Sequence, residues 1–127
     1  MFDRELALAD LKNIIWAIEQ INKRFAAIVV VDDFTKDDTG LEKLDSICMQ
    51  LINIGEVLKH IDKLTSGELL TQYSEVDWKK VKGLRDIITH HYFDIDAETI
   101  FTVCVEHLEP LRSAVNKIIS CLEANDD

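Results

Sequence analysis

The sequence predicts an all-α antiparallel bundle of four main helices plus one short helix. Apolar residues recur at three- and four-residue steps over long stretches, the spacing of one helix face. One Pro and four Gly among 127 residues are too few for a turn-rich β fold. Hydrophobic residues make up 47% of the chain, enough for a core without staples, and the length suits a single domain over 1–127.

The first helix is expected from about Phe2 to Val31, along the stripe Leu11, Ile14, Ile18, Ile21, Phe25, Ile28. Val29-Val30-Val31 is β-branched but continues the stripe without a turn signal. The polar run 32–40 reads as a loop. A second helix follows from about Leu41 to Leu64, with Leu44, Ile47, Cys48, Leu51, Ile54, Leu58 and Ile61 inward. Gly55 lies inside it, where Gly costs about 1 kcal/mol relative to Ala, so a close crossing by another helix is expected there. Ser66-Gly67 breaks the chain, and Leu69-Leu70 with Tyr73 makes the short helical piece. The third main helix starts between Ser74 and Asp77, where acids and a hydroxyl suit open helix-start amides. Asp96 caps the last helix, which runs to about Leu122 with Ile100, Val103, Cys104, His107, Leu108, Leu111, Val115 and Ile118 inward. Pro110 should kink it, and the tail 123–127 is expected to fray.

Cys48, Cys104 and Cys121 are odd in number and widely spaced, which argues for small buried apolar residues and against a disulfide framework or zinc site. The opening Met1-Phe2-Asp3-Arg4-Glu5 lacks the basic patch of a secretory signal. No run approaches the roughly 18 apolar residues of a membrane span. A cytoplasmic protein without membrane contact is expected. The net charge of −10 disfavours non-specific binding to polyanions, so any RNA site must be a local basic patch.

The third helix carries the chemistry. Gly83 to Tyr92 holds Arg85, His90 and Tyr92 in the pattern Arg-x4-His-x-Tyr, directly after the basic run Lys79-Lys80-Val81-Lys82. Arginine forks onto phosphate oxygens, histidine moves protons near neutral pH and tyrosine offers a hydroxyl. At about 100° per residue, Val81, Leu84, Ile88 and Trp78 share a buried face. Arg85 and Tyr92 project within that face, while Lys79, Lys82, Asp86 and His90 lie opposite. A guanidinium there needs a reason: a carboxylate partner such as Glu56 or Glu106, a subunit interface, or a ligand cleft. Arg85 and His90 stand about 140° apart on a continuous helix and cannot form a compact pair. Either the helix breaks before His90 or a neighbouring chain completes the site, as in a symmetric dimer. His90 and His91 have no ligand partner at i+4, which argues against a metal.

At these residues the chain resembles the HEPN superfamily, in its HepT-like branch. The matching stretch opens at Gln50 to Glu56, similar to a Gln-x3-Ile-Gly-Glu signature, and continues through Val76-Asp77-Trp78, Gly83-Leu84-Arg85-Asp86, His90-His91-Tyr92 and Asp94-Ile95-Asp96. Asp77 stands where the family usually has Pro, and Asp86 where it commonly has Asn. The resemblance implies a homodimeric, metal-independent endoribonuclease that needs no cofactor, the toxin of a toxin–antitoxin pair cleaving mRNA or tRNA. Its partner would be a minimal nucleotidyltransferase (MntA-like) that adds AMP to the motif tyrosine. It implies Arg85 as the stabiliser of phosphorane charge, His90 as general base or acid and Tyr92 as the adenylylation acceptor. Lys79, Lys82, Asp86 and Glu56 would support RNA binding or the site. The alternative is a non-catalytic helical dimer that binds nucleotide or partners a nucleotidyltransferase, which Asp86 and the acidic surface favour. A plain structural bundle, with Arg85 in an internal ion pair and Tyr92 in the core, is the third.

Overall fold

Asp3 starts the first helix: its Oδ1 accepts the Leu6 amide at 3.2 Å, satisfying one of the amides a helix start leaves open. In the computed structural model, which describes residues 2–124, that helix is α1, Arg4–Phe25. It is followed by α2 (Asp38–Thr65), α3 (Trp78–His90), α4 (Ala97–Thr102) and α5 (Leu108–Ala124). The described residues contain no strand. A five-residue π-helical turn, Val103–His107, joins α4 to α5, so these form one interrupted last helix. The bundle therefore has four main helices, and the expected short helix is a single 3-10 turn, Leu70–Gln72.

α1 ends at Phe25 and does not reach Val31. The cause is Asp33, whose Oδ2 accepts the Val29 and Val30 amides at 2.8 and 3.1 Å and draws the backbone into a 3-10 turn, Val31–Phe34. The expected loop 32–40 is thus shared between this turn and the start of α2, where the Asp37 carboxylate accepts the Gly40 amide. Phe34 is fully buried against Phe25 and Phe101, with ring centroids 6.1 and 6.5 Å away, and Phe25 meets Phe101 at 5.3 Å. These aromatic contacts lock the turn to the ends of α1 and α4.

The core follows the stripes read from the sequence: Leu11, Ile14, Ile18 and Ile21 from α1, Ile47, Leu51, Ile54, Leu58 and Ile61 from α2, and Leu108, Leu111, Val115 and Ile118 from α5 are all buried. α1 packs between α2 and α5, and α3 packs chiefly on the other side of α2. The α2–α3 ion pairs Lys59–Asp86 and Asp62–Lys82 run in opposite chain directions, which sets the two helices antiparallel. α2 closes with Ser66 and Gly67 in left-handed conformations (φ 55° and 73°) and the Gly67 amide on Asp62 O.

Pro110 disturbs the last helix on its N-terminal side. It offers no amide to the turn before it, and the chain widens there: the Leu108 amide reaches Val103 O, five residues back. The widened turn rotates His107 out to solvent, contrary to its expected inward position. Cys121 is likewise exposed, whereas Cys48 and Cys104 are buried and burial pushes their thiols up to about 12. All three are free. Glu123 and Ala124 close α5, and the remainder of the expected frayed tail, 125–127, lies outside the described residues. No helix among the described residues is long and apolar enough to cross a membrane.

Candidate functional site

Asp77 begins the motif helix by accepting the Lys80 amide at 3.1 Å, and Trp78 anchors it with its indole N–H on Tyr73 O at 2.7 Å. About two turns later, at Arg85, the helix meets α2 at Gly55. A Cβ built on Gly55 would stand 2.5 Å from Arg85 Cβ, so only glycine lets α3 approach this closely. The close crossing expected from the sequence is there, and the residue it seats is Arg85.

Arg85 is half-buried, as its wheel position required, and a carboxylate partner is present. Its Nε lies against Glu56 Oε1 of α2 as an ion pair, without a well-aligned hydrogen bond. Its Nη1 donates to Asp86 Oδ1 at 2.9 Å. Asp86 in turn accepts from Lys59 Nζ at 3.2 Å. The Asp86 hydrogen bond, followed by the Glu56 charge, holds the Arg85 pKa above its ordinary value, and Arg85 and then Lys59 hold Asp86 below the usual carboxylate range. The four charges therefore form one ionic network.

Lys82 and Asp86 do not lie on the open polar face where the helical wheel put them. Lys82 pairs with Asp62, and Asp86 with Lys59, both across to α2. The close crossing at Gly55 brings that rim of α3 within reach of long side chains. Lys79 remains exposed.

α3 is continuous through His90, so the turn between Arg85 and His90 is unbroken and the single chain does not bring the two together. His90 is exposed, and no hydrogen bond or ion pair among the described residues links it to Arg85. Tyr92 leaves the expected buried face. The helix stops at His91, and Tyr92 begins a 3-10 turn, Tyr92–Asp94. It is 40% exposed and its hydroxyl donates to Asp45 Oδ1 of α2.

One rim of α2 organises all of this. Asp45, Met49, Ile52, Glu56 and Lys59 recur at helical spacing on one face, and they meet Tyr92 at one end and Arg85 and Asp86 at the other. Met49, between them, is 56% exposed. Asp45 and Lys59 were not singled out from the sequence. Lys59 stands three residues from Glu56 and Asp45 four from Met49, a usable signal once α3 is folded back antiparallel.

On its opposite side α3 borders an open apolar groove of about 660 Å³, formed with α2, α4 and α5 and lined by Leu51, Ile54, Val81, Leu84, Ile87 and Leu108. Ile87 is 54% exposed on this side. No group of three or more potential metal ligands is assembled among the described residues.

A family model described as "Ribonuclease HepT-like" matches residues 14–118. A protein of Methanocaldococcus jannaschii that carries a provisional RNase name is 27% identical over 103 residues, spanning 81% of this chain and 79% of its own. Another, from Caldanaerobacter subterraneus subsp. tengcongensis and named in the same provisional way, is 28% identical over 88 residues, 69% of this chain and 72% of its own. No solved structure matches the chain significantly.

Proposed function

The chain belongs to the HepT-like ribonuclease family, and from that premise we propose that it is a metal-independent endoribonuclease toxin whose site is shared between two copies. The observation that carries this reading is the seating of Arg85: a half-buried guanidinium, held at the surface end of a glycine-cut crossing, with His90 on the same helix but turned away. A guanidinium and an imidazole that one chain keeps apart make a working pair when a symmetric partner brings its own α3 alongside. Ile87, exposed one turn before His90 on the same face of α3, supports a homodimer packed along that open face.

In the shared cleft the RNA 2′-hydroxyl attacks the adjacent phosphorus. His90 of one copy takes the hydroxyl proton, Arg85 neutralises the charge gathering on the non-bridging oxygens, and a second imidazole protonates the departing 5′-oxygen. The products are a 2′,3′-cyclic phosphate and a 5′-hydroxyl. Cleavage of mRNA or tRNA should proceed in EDTA. Arg85→Ala and His90→Ala should each lower it on the order of 10²-fold or more. Variants that cleave like the parent would remove both residues from catalysis.

Tyr92 is proposed as the site at which a minimal nucleotidyltransferase antitoxin (MntA-like) adds AMP. Its exposure supports access, and the Asp45 carboxylate at its hydroxyl supports its role as a nucleophile. Intact mass after co-expression should show increments of about 329 Da that vanish in Tyr92→Phe.

One observation favours the non-catalytic alternative, a dimer that binds nucleotide or partners the nucleotidyltransferase: Arg85 is already engaged by two carboxylates. A purified protein that cuts no RNA under any salt condition yet holds a nucleotidyltransferase in a stable complex would establish that reading instead.

A further inference from the structure

Two cations from different helices converge on a single oxygen. Lys59 Nζ of α2 stands 3.2 Å from Asp86 Oδ1, and Arg85 Nη1 of α3 stands 2.9 Å from the same atom. An oxygen held between an ammonium and a guanidinium at these distances has the surroundings of a bound phosphate oxygen. The occupant is not locked in place. The Asp86 side chain is half exposed and that of Lys59 is 43% exposed, so the short carboxylate has room to rotate into solvent. Glu56, Lys59, Arg85 and Asp86 sum to no net charge as they stand. With the Asp86 carboxylate turned away, the pocket it leaves is positive.

We infer that Lys59 is a second phosphate-binding residue of the site, and that the Asp86 carboxylate is a built-in occupant which a substrate phosphodiester displaces. The inference rests on the ribonuclease reading and deepens it. Arg85 supplies the rigid fork, and Lys59 supplies a mobile point charge on the opposite helix. Lys59 makes and breaks no bond, so its role is in binding: Lys59→Ala should raise KM several-fold with kcat little changed.

The test uses a 2′-O-methyl oligonucleotide, which binds but cannot be cut, titrated across salt concentrations against the parent, Lys59→Ala, Lys59→Arg and Asp86→Asn. Lys59→Ala should weaken binding and make the slope of log K against log salt shallower by about 0.7, the loss of one single-strand phosphate contact. Lys59→Arg should keep the parent slope, and Asp86→Asn should tighten binding several-fold. A parent slope and affinity in Lys59→Ala would overturn the inference and leave the ribonuclease reading standing. A parent that binds no RNA would overturn the ribonuclease reading, and inorganic phosphate then decides the pocket by itself. Phosphate that raises the Tm of Asp86→Asn but not of Lys59→Ala/Asp86→Asn supports it, and equal shifts in both refute it.

Discussion

Gly55 and Arg85 act as one unit. The glycine was legible as a close crossing because its cost inside a helix needs a compensating contact, and Arg85 was legible as misplaced because a charge on an apolar face needs a partner. Each signal was local. That the two features touch was not legible, since it depends on where α3 is set along α2. A methyl group at Gly55 meets Arg85 Cβ, which is fixed to the backbone, so the helix itself must shift. Gly55→Ala should therefore destabilise the fold by about 1–3 kcal/mol, read as a lowered midpoint in urea. It should also depress cleavage beyond what the lost stability explains, because it displaces the guanidinium. Unchanged stability and activity would mean that α3 slides freely on α2.

Among the elements, helix starts were the easiest to read. Asp77 and Asp96 cap α3 and α4 as their side chains suggest. Helix ends were harder. The stop at Phe25 depends on Asp33 reaching back to Val29 and Val30, and the apolar stripe continues past it. The stop at His91 took Tyr92 off the buried face, a change no periodicity signals. Asp33 makes the first case testable by pH. Its hydrogen bond to Lys36, then the two backbone amides, hold its pKa at about 2, below the ordinary value of 3.8. A depressed folded-state pKa contributes stability that is complete above the unfolded value and lost as pH falls through the folded one. The Tm difference between the parent and Asp33→Asn should be full at neutral pH and shrink between about pH 4 and pH 2. A difference that stays constant over that window would assign the turn to the Phe25–Phe34–Phe101 contacts instead.

At the scale of the whole molecule, the bundle turns two unlike sides of α3 outward: an ionic rim shared with α2 and an apolar groove formed with α2, α4 and α5. The open face between them, which carries Ile87 and His90, should be where a second copy sits. Ile87→Glu should sediment as a monomer with unchanged helical circular dichroism and without ribonuclease activity, whereas a dimer that persists would place the contact elsewhere. The same arrangement has a consequence in time. α3 is braced chiefly by α2, and Gly83 lies within it over open space, a residue that weakens a helix interior by about 1 kcal/mol. The helix that presents Arg85 should therefore be the first main helix to open. In a dilute sample its amides should take up deuterium well before those of α1 and α2. Raising the protein concentration should slow that uptake in α3 selectively, as pairing covers the helix. The motif helix would then acquire its full rigidity only when a partner arrives.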